Sequence, residues 1–254
     1  MNNQLTVLIP TSPIPSHPST SIIDETILNI RKYTDAKIII MCDGVHSSLE
    51  HRTAAYKQYI YQLQTKMSSY GDCEIVIHDT HKHQAIMTRE VLADVKTPLV
   101  MFCEHDTSPI GGIPFESICD LVSHENGIIN CLRFNIFHEI LDEHQYLMID
   151  KKPTVYHEVI HGEKTILRIK CVRTIQWSQR PHIAKTKWYR NILWDHFQRD
   201  KRTMIEDVMH GIVQEKFKSL GYDTFGLAIY TPEGNQLRSY HSDARGTDTK
   251  IIEG

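Results

Sequence analysis

The stretch Thr97-Pro98-Leu99-Val100-Met101-Phe102-Cys103-Glu104-His105-Asp106 joins a short apolar run directly to two carboxylates and an imidazole. The apolar part predicts a buried strand that delivers the polar triplet to its C-terminal end. Open α/β sheets bind ligands at that edge. Oxygen ligands there suit Mg²⁺ or Mn²⁺, and such a metal can bind the diphosphate of an activated donor. The plainer alternative is an acidic turn, because Asp hydrogen-bonds readily to turn backbone.

Strands and helices alternate before this stretch. We predict strands at 6–10, 37–42, 73–78 and 99–103, with helices between them and the last helix at 83–94. Uninterrupted apolar runs such as 37–42 are typical of parallel strands that are buried on both faces. Four strand–helix units in about a hundred residues predict an open, mostly parallel sheet with right-handed crossovers.

The second half of the chain has a mixed pattern. Helices are predicted at 115–123, 187–197 and 205–220, and strands at 127–134, 165–173 and 226–230. No internal repeat, low-complexity tract or long linker divides the chain. We therefore expect one domain that covers residues 1–254, with a polar tail after Tyr240.

Composition excludes some classes of protein. Lys and Arg number 28 against 31 Asp and Glu, a net charge of −3, so there is no overall basic field for nucleic acid. The six cysteines are scattered without CxxC spacing, which predicts reduced, buried thiols in a cytoplasmic protein. The first residues lack a basic region before a long apolar stretch, and no run of eighteen apolar residues occurs. We expect neither a secretion signal nor a membrane span.

Six motifs follow one another in a set order. They are Val7-Leu8-Ile9-Pro10-Thr11 in the first strand, Asp43 after the second, Asp79 after the third, Arg89 in the next helix, Glu104-His105-Asp106, and Glu206-Asp207. This order resembles the GT-A fold glycosyltransferases, especially the family-two-like inverting group. The resemblance implies an α/β GT-A (Rossmann-like) open mixed, mostly parallel sheet flanked by helices. It also implies a nucleotide-binding half, 1–106, and an acceptor-side half, 107–254.

The resemblance implies a role for each matching residue. Donor-binding roles fall to Pro10, Thr11, Asp43, Asp79, Arg89, Glu104 and His105. Within this set, Thr11 and Asp43 match positions that hold the base and ribose, and Asp79 matches one that reads the base edge. Asp106 matches the direct ligand of Mn²⁺ or Mg²⁺, and His241 the C-terminal histidine that completes the metal shell. The usual motif is Asp-x-Asp, so Glu104 is a departure.

Sugar transfer requires two further kinds of group. Negative charge grows on the leaving diphosphate, and Arg238 and Arg245 are candidates to stabilise it beside the metal. The resemblance makes Asp207 the general base for the acceptor hydroxyl, a role that contributes about 10²–10⁴-fold to a rate. Each feature also has a plain structural alternative: an acidic first helical turn for Glu206-Asp207, a simple turn for Asp43-Gly44, and a surface residue for His241.

The stretch Ile175-Gln176-Trp177-Ser178-Gln179-Arg180-Pro181-His182 mixes aromatic, amide and charged groups in a predicted loop. This mixture suits sugar or phosphate recognition, so Trp177, Arg180 and His182, with Glu206, are candidates for the acceptor side. The alternative is a packed Trp177 beside an incidental polar loop.

Three functions fit the pattern. The first is metal-dependent, inverting transfer of a sugar from a nucleoside-diphosphate sugar, with UDP expected by analogy, to an unidentified hydroxyl acceptor. The second is nucleotidyl transfer, but the loop 11–20 contains no glycine and so lacks the phosphate loop usual in such enzymes. The third is a catalytically inactive nucleotide-sugar-binding module.

Overall fold

The computed structural model describes residues 4–124, 127–135, 140–161, 165–198, 202–231 and 236–242, with side chains given for these ranges except 156–167. The strands are β1 (Leu5–Thr11), β2 (Lys37–Cys42), β3 (Cys73–Ile77), β4 (Leu99–Phe102), β5 (Cys131–Phe134), β6 (Thr154–His161), β7 (Thr165–Arg173), β8 (His182–Lys185) and β9 (Leu227–Tyr230). The helices are α1 (Ser21–Arg31), α2 (Thr53–Lys66), α3 (His83–Asp94), α4 (Phe115–Ser123), α5 (Thr186–His196), α6 (Ile205–Leu220) and α7 (Tyr222–Phe225). Short 3₁₀ turns cover Ser47–Arg52, Met67–Tyr70 and Asp142–Leu147.

The described strands form one open sheet in the order β3-β2-β1-β4-β8-β5-β9-β7-β6. β1 pairs in parallel with both β2 and β4, and β2 pairs in parallel with β3. The winding direction therefore reverses between β1 and β4, because β2 and β3 lie on one side of β1 and β4 on the other. Such a reversal opens a crevice at the C-terminal ends of the two strands.

The other half of the sheet is mainly antiparallel. β8 lies between β4 and β5 and runs antiparallel to both. β7 pairs antiparallel with β6 and β9, while β5 and β9 are parallel. The α/β class and the mixed sheet are confirmed. The sequence pattern missed β6 and β8; β8 has only four residues, too few to show a strand period, and begins at the end of the predicted polar loop.

Helices cover both faces of the sheet. Alternate residues of β1 point to opposite sides, so Val7 and Ile9 pack in the core beneath α1, α2 and α4, whereas Leu8 packs beneath α3, α5 and α6. All six cysteines are free thiols, as predicted, and all but the partly exposed Cys73 are buried. Among the described residues, no helix combines the length and the apolar character needed to cross a bilayer.

Candidate active site

A cavity of about 300 Å³ opens at the C-terminal edge of β1, β2 and β4, at the point where the winding reverses. Seven of the residues singled out from sequence line it: Pro10, Thr11, Asp43, Glu104, His105, Asp106 and His241. They come from four separate parts of the chain. Three of these parts meet because parallel strands present their C-terminal ends at one edge, and His241 is the fourth.

His241 reaches the cavity because the chain after β9 runs back along the segment that follows β4. The Ser242 amide donates to the carbonyl of Asp106 at 2.8 Å, and the Tyr240 amide donates to the carbonyl of Ser108 at 3.1 Å. The Ile110 amide in turn donates to the carbonyl of Arg238 at 3.0 Å. This antiparallel pairing places Nε2 of His241 3.0 Å from Oδ2 of Asp106.

Asp106 and His241 each favour the charged form of the other. Burial alone would raise the pKa of Asp106, but the hydrogen bond from His241 and the charge of His105 hold that pKa below its ordinary value. The hydrogen bond to Asp106 raises the pKa of His241, although burial opposes the change. Burial raises the pKa of Glu104 to about 7, and the nearby Asp106 charge adds to that shift. An ionised Asp106 therefore lies next to a carboxyl group that gives up its proton less readily.

The pair of Asp106 and His241 fits a divalent cation. Two ligands at right angles on an octahedral ion, each about 2.1 Å from it, lie about 3 Å apart, which matches the 3.0 Å between Oδ2 and Nε2. Within the described part of the chain, no three His, Cys, Asp or Glu residues cluster as a metal site. Mg²⁺ and Mn²⁺ commonly take only one or two protein ligands and complete their shell with water and substrate phosphate. The donor set is thus suited to a metal shared with a phosphate-bearing ligand.

The Asp43 carboxylate makes hydrogen bonds within the protein. Its Oδ1 accepts from the amides of Gly44 at 2.8 Å and Lys82 at 2.7 Å. Its Oδ2 accepts from the His83 amide at 3.0 Å and lies 2.9 Å from Nδ1 of His81. His83 has a positive φ of 64°, a conformation rare for residues other than glycine. The Asp43 carboxylate therefore holds the loop after β3 in place, and this loop contributes His81 and His83 to the cavity wall.

Three described residues with predicted donor roles are not in the cavity lining. Asp79 is exposed in the loop after β3. Arg89 stacks 4.3 Å from the ring centre of Trp194 and donates to the carbonyl of Phe197 at 3.0 Å, so it ties α3 to the end of α5. Arg238 is buried and donates to the carbonyl of Leu237 at 2.9 Å. Arg245 lies outside the described residues.

The stretch around Trp177 belongs largely to the core. Trp177 is buried, and its indole Nε1 donates to Oε1 of Gln179 at 3.1 Å. His182 begins β8 and stacks on Phe102, with ring centres 5.5 Å apart. Its Nδ1 lies 2.8 Å from the Arg180 carbonyl, and burial lowers its pKa to about 4. Arg180, which is half-buried, has an electrostatic effect on the site, because its positive charge lowers the pKa of both Glu104 and His241.

Glu206 and Asp207 occupy the first turn of α6, as predicted. The Glu206 carboxylate points inward and accepts from the Gln179 amide at 2.8 Å. Asp207 is exposed, and its charge acts on His83, a residue of the cavity wall. The helix dipole favours ionised carboxylates at this position.

The remaining wall of the cavity was not found from sequence. It consists of Ser12, His81, His83, Gln84, Met87 and Met204. Gln84 and Met87 sit on α3, which the sequence analysis identified as a helix without assigning a role to either residue. Met204 precedes Glu206-Asp207 by two positions, so proximity to that motif was the one available signal.

No protein-family model matches the chain, and no curated protein matches it. Solved structures do. TarS residues 1–349 from S. aureus superposes with a TM-score of 0.56 at 10% identity, over 94% of this chain and 60% of TarS 1–349. A mannosyltransferase from Pyrobaculum calidifontis, in complex with GDP-Man and Mn²⁺, superposes with a TM-score of 0.51 at 12% identity, over 91% of this chain and 58% of its own.

A third similar structure is a 4-diphosphocytidyl-2C-methyl-D-erythritol synthase from Anaerococcus prevotii, with a TM-score of 0.50 at 10% identity over 93% of this chain and 90% of the synthase. The chain spans less than two thirds of the TarS and mannosyltransferase chains. At sequence identities this low, the superpositions show a common fold alone. The expected GT-A fold is thereby confirmed.

Proposed function

We propose that this chain is a metal-dependent glycosyltransferase that moves a sugar from a nucleoside-diphosphate sugar to an acceptor hydroxyl with inversion. The observation that carries the proposal is the Asp106–His241 pair, 3.0 Å apart, in the wall of a cavity at the winding reversal of a GT-A sheet. A metal bound by one carboxylate and one imidazole has coordination positions left for a diphosphate. TarS in complex with UDP-GlcNAc and the mannosyltransferase with GDP-Man superpose on this chain, which supports a nucleotide-sugar donor.

In this proposal the cavity residues divide the work. Mn²⁺ or Mg²⁺ would be held by Asp106 and His241, and when bound it neutralises charge on the leaving diphosphate. Thr11 and Glu104 line the part of the cavity proposed for the nucleoside. Asp43 contributes indirectly, by fixing His81 and His83 in the wall. UDP as the donor nucleotide and a cytoplasmic setting stay predictions that rest on analogy and on cysteine usage.

Asp207 is the proposed general base. The acceptor oxygen forms its bond to the anomeric carbon while the bond from that carbon to the diphosphate oxygen breaks, and the hydroxyl proton passes to Asp207. A single displacement of this kind inverts the anomeric centre. Asp207 suits the role better than Glu206, because Asp207 is exposed at the helix start whereas the Glu206 carboxylate is occupied by the Gln179 amide.

Nucleotidyl transfer is the second candidate, favoured by the superposition on 90% of the diphosphocytidyl-methylerythritol synthase. It also needs a divalent metal beside phosphate, so the Asp106–His241 pair does not separate the two reactions. The loop between β1 and α1 does, because residues 12–20 contain no glycine with which to wrap a triphosphate. A binding module without turnover is the third candidate, and an exposed Asp207 whose charge acts on His83 in the cavity wall argues against it.

The deciding experiment incubates the protein with Mn²⁺ and a panel of UDP- and GDP-sugars or nucleoside triphosphates. A glycosyltransferase releases nucleoside diphosphate from a sugar donor, whereas a nucleotidyltransferase releases pyrophosphate from a triphosphate. We expect the first, and loss of that release in Asp106→Ala but not in the matched surface variant Asp120→Ala. In Asp207→Asn, transfer to an acceptor should fall by about 10²–10⁴-fold with donor affinity nearly unchanged. Wild-type turnover in Asp207→Asn would contradict the proposed base.

A further inference from the structure

Gln84 joins two parts of the candidate site that come from distant parts of the chain. Its side chain is buried in the first turn of α3 and uses both ends of its amide. Nε2 donates to Oε1 of Glu104 at 2.7 Å, and Oε1 accepts from the Ile205 amide at 3.1 Å. One side chain thus bridges the carboxylate that follows β4 and the first residue of α6.

The Ile205 amide needs such a partner. The first N–H groups of a helix have no acceptor within the helix, and a buried one is costly to leave unpaired. Met204, which precedes α6, provides no side-chain cap. Ile205 itself is fully buried, so Gln84 supplies from another helix the acceptor that a local cap usually provides.

A second hydrogen bond ties the same two segments together. The Ala85 amide donates to the carbonyl of Thr203 at 3.2 Å, two residues before α6 begins. The start of α3 and the entry to α6 are therefore linked on both sides of Met204, whose side chain lines the cavity. Glu206 and Asp207 follow Ile205 directly, so their height and rotation relative to the cavity depend on this link.

We propose that Gln84 is a positioning residue that sets Asp207 against the donor cavity by coupling Glu104 to the start of α6. The proposal rests on the proposed function for its catalytic consequence. The amide is the side chain that suits this place, because it offers one donor to a carboxylate and one acceptor to a backbone N–H. A displacement of about 1 Å at a reacting group can cost about 10²-fold in rate.

Gln84→Met tests the link, because methionine has nearly the same length and volume and makes neither hydrogen bond. The matched control is Gln64→Met on the exposed face of α2. We expect kcat for transfer to fall about 10–10²-fold in Gln84→Met, with the donor KM within about threefold of wild type. Gln64→Met should leave both unchanged. A kcat within twofold of wild type in Gln84→Met would overturn the proposal.

A double variant separates positioning from a general loss of structure. If Gln84 acts through Asp207, Gln84→Met should slow the wild type but have almost no further effect on kcat in an Asp207→Asn background. If the fold-losses of kcat in the two single variants instead multiply in the double variant, Gln84 acts independently of Asp207 and the positioning role is refuted.

Amide hydrogen exchange tests the link without turnover. In Gln84→Met, the Ile205 amide should exchange at least about tenfold faster than in wild type, while the amides of α2 keep their rates. Gln84→Glu keeps an acceptor for Ile205, so exchange of the Ile205 amide should lie closer to wild type; this variant also serves if Gln84→Met does not fold. Unchanged exchange of the Ile205 amide in Gln84→Met, or equally fast exchange in both variants, overturns the proposal. A wild type without transferase activity but with this exchange pattern would refute the proposed function while leaving the structural link established.

Discussion

Removal of Asp106 should abolish the stabilisation of this protein by Mn²⁺ and a nucleoside diphosphate. In the proposed site Asp106 and His241 are the two protein ligands of the metal, so Asp106→Ala removes half of the proposed set and the only carboxylate in it. A ligand at 100 times its dissociation constant stabilises the native state by about 2.7 kcal/mol. For a chain of this size each kcal/mol moves the Tm by about 2–4 °C, so the wild type should gain about 5–10 °C.

Thermal unfolding with and without Mn²⁺ and UDP measures this gain. In Asp106→Ala the Tm should rise by at most about one or two degrees on addition of Mn²⁺ and UDP. His241→Ala should show an intermediate rise in Tm, because it keeps the Asp106 carboxylate. Asp120→Ala, on the exposed face of α4, controls for the loss of one negative charge and should behave as the wild type. The ligand-free Tm of Asp106→Ala also changes, since His241 loses a hydrogen-bond partner worth about 1–3 kcal/mol. Equal Mn²⁺–UDP shifts in wild type and Asp106→Ala would refute the metal site.

Three further predictions follow from other contacts. Ending the chain before Arg238 removes His241 and should weaken Mn²⁺-dependent UDP binding at least about tenfold in calorimetry, and an unchanged affinity would contradict a role for the tail in donor binding. Arg89→Met should cost about 1–3 kcal/mol in denaturant unfolding with no change in UDP affinity, because Arg89 contacts Trp194 and Phe197 rather than the cavity; a selective loss of UDP affinity would restore its predicted donor role. Burial, with the charges of His105 and Arg52, lowers the pKa of His17 from 6.5 to about 3. A depressed histidine pKa means that the stabilisation is complete above pH 6.5 and that the free energy of unfolding falls by about 1.4 kcal/mol per pH unit between pH 6.5 and about 3. In His17→Asn the free energy of unfolding should therefore depend less steeply on pH in this range. The same pH dependence in wild type and His17→Asn would refute this assignment.

The N-terminal half of the fold follows from sequence because its information is local. Strands such as Lys37–Cys42 are continuous apolar runs, as strands buried between two helix layers must be. Their alternation with helices predicts a parallel sheet, and a parallel sheet presents its ligand-binding residues at one edge. The positions of Glu104 and Asp106 after β4 could therefore be predicted without coordinates.

The second half was less predictable because its strands are short and pair at long range. β8 contains four residues and is recognisable only once it lies between β4 and β5. The contacts of a polar side chain are equally hard to predict from sequence when either a ligand or the protein itself could bind it. Arg89 has a guanidinium group suited to phosphate. In the fold this group instead stacks on the ring of Trp194 in α5 and donates to the carbonyl of Phe197, the residue after α5. Asp43 lines the cavity, and only the fold shows that its carboxylate also holds the loop at 81–83.

The amino-acid sequence by itself determined the α/β class, the helix positions and the residue types at the sheet edge, since hydrophobic period and strand-end chemistry act over a few neighbouring residues. Tertiary structure alone decided which of those residues share a cavity. The Asp106–His241 pair spans 135 positions, from 106 to 241, and the link from Gln84 to Ile205 spans 121. Contacts of that separation form only after the chain has closed long loops, and loop closure depends on the packing of the whole sheet rather than on any local pattern.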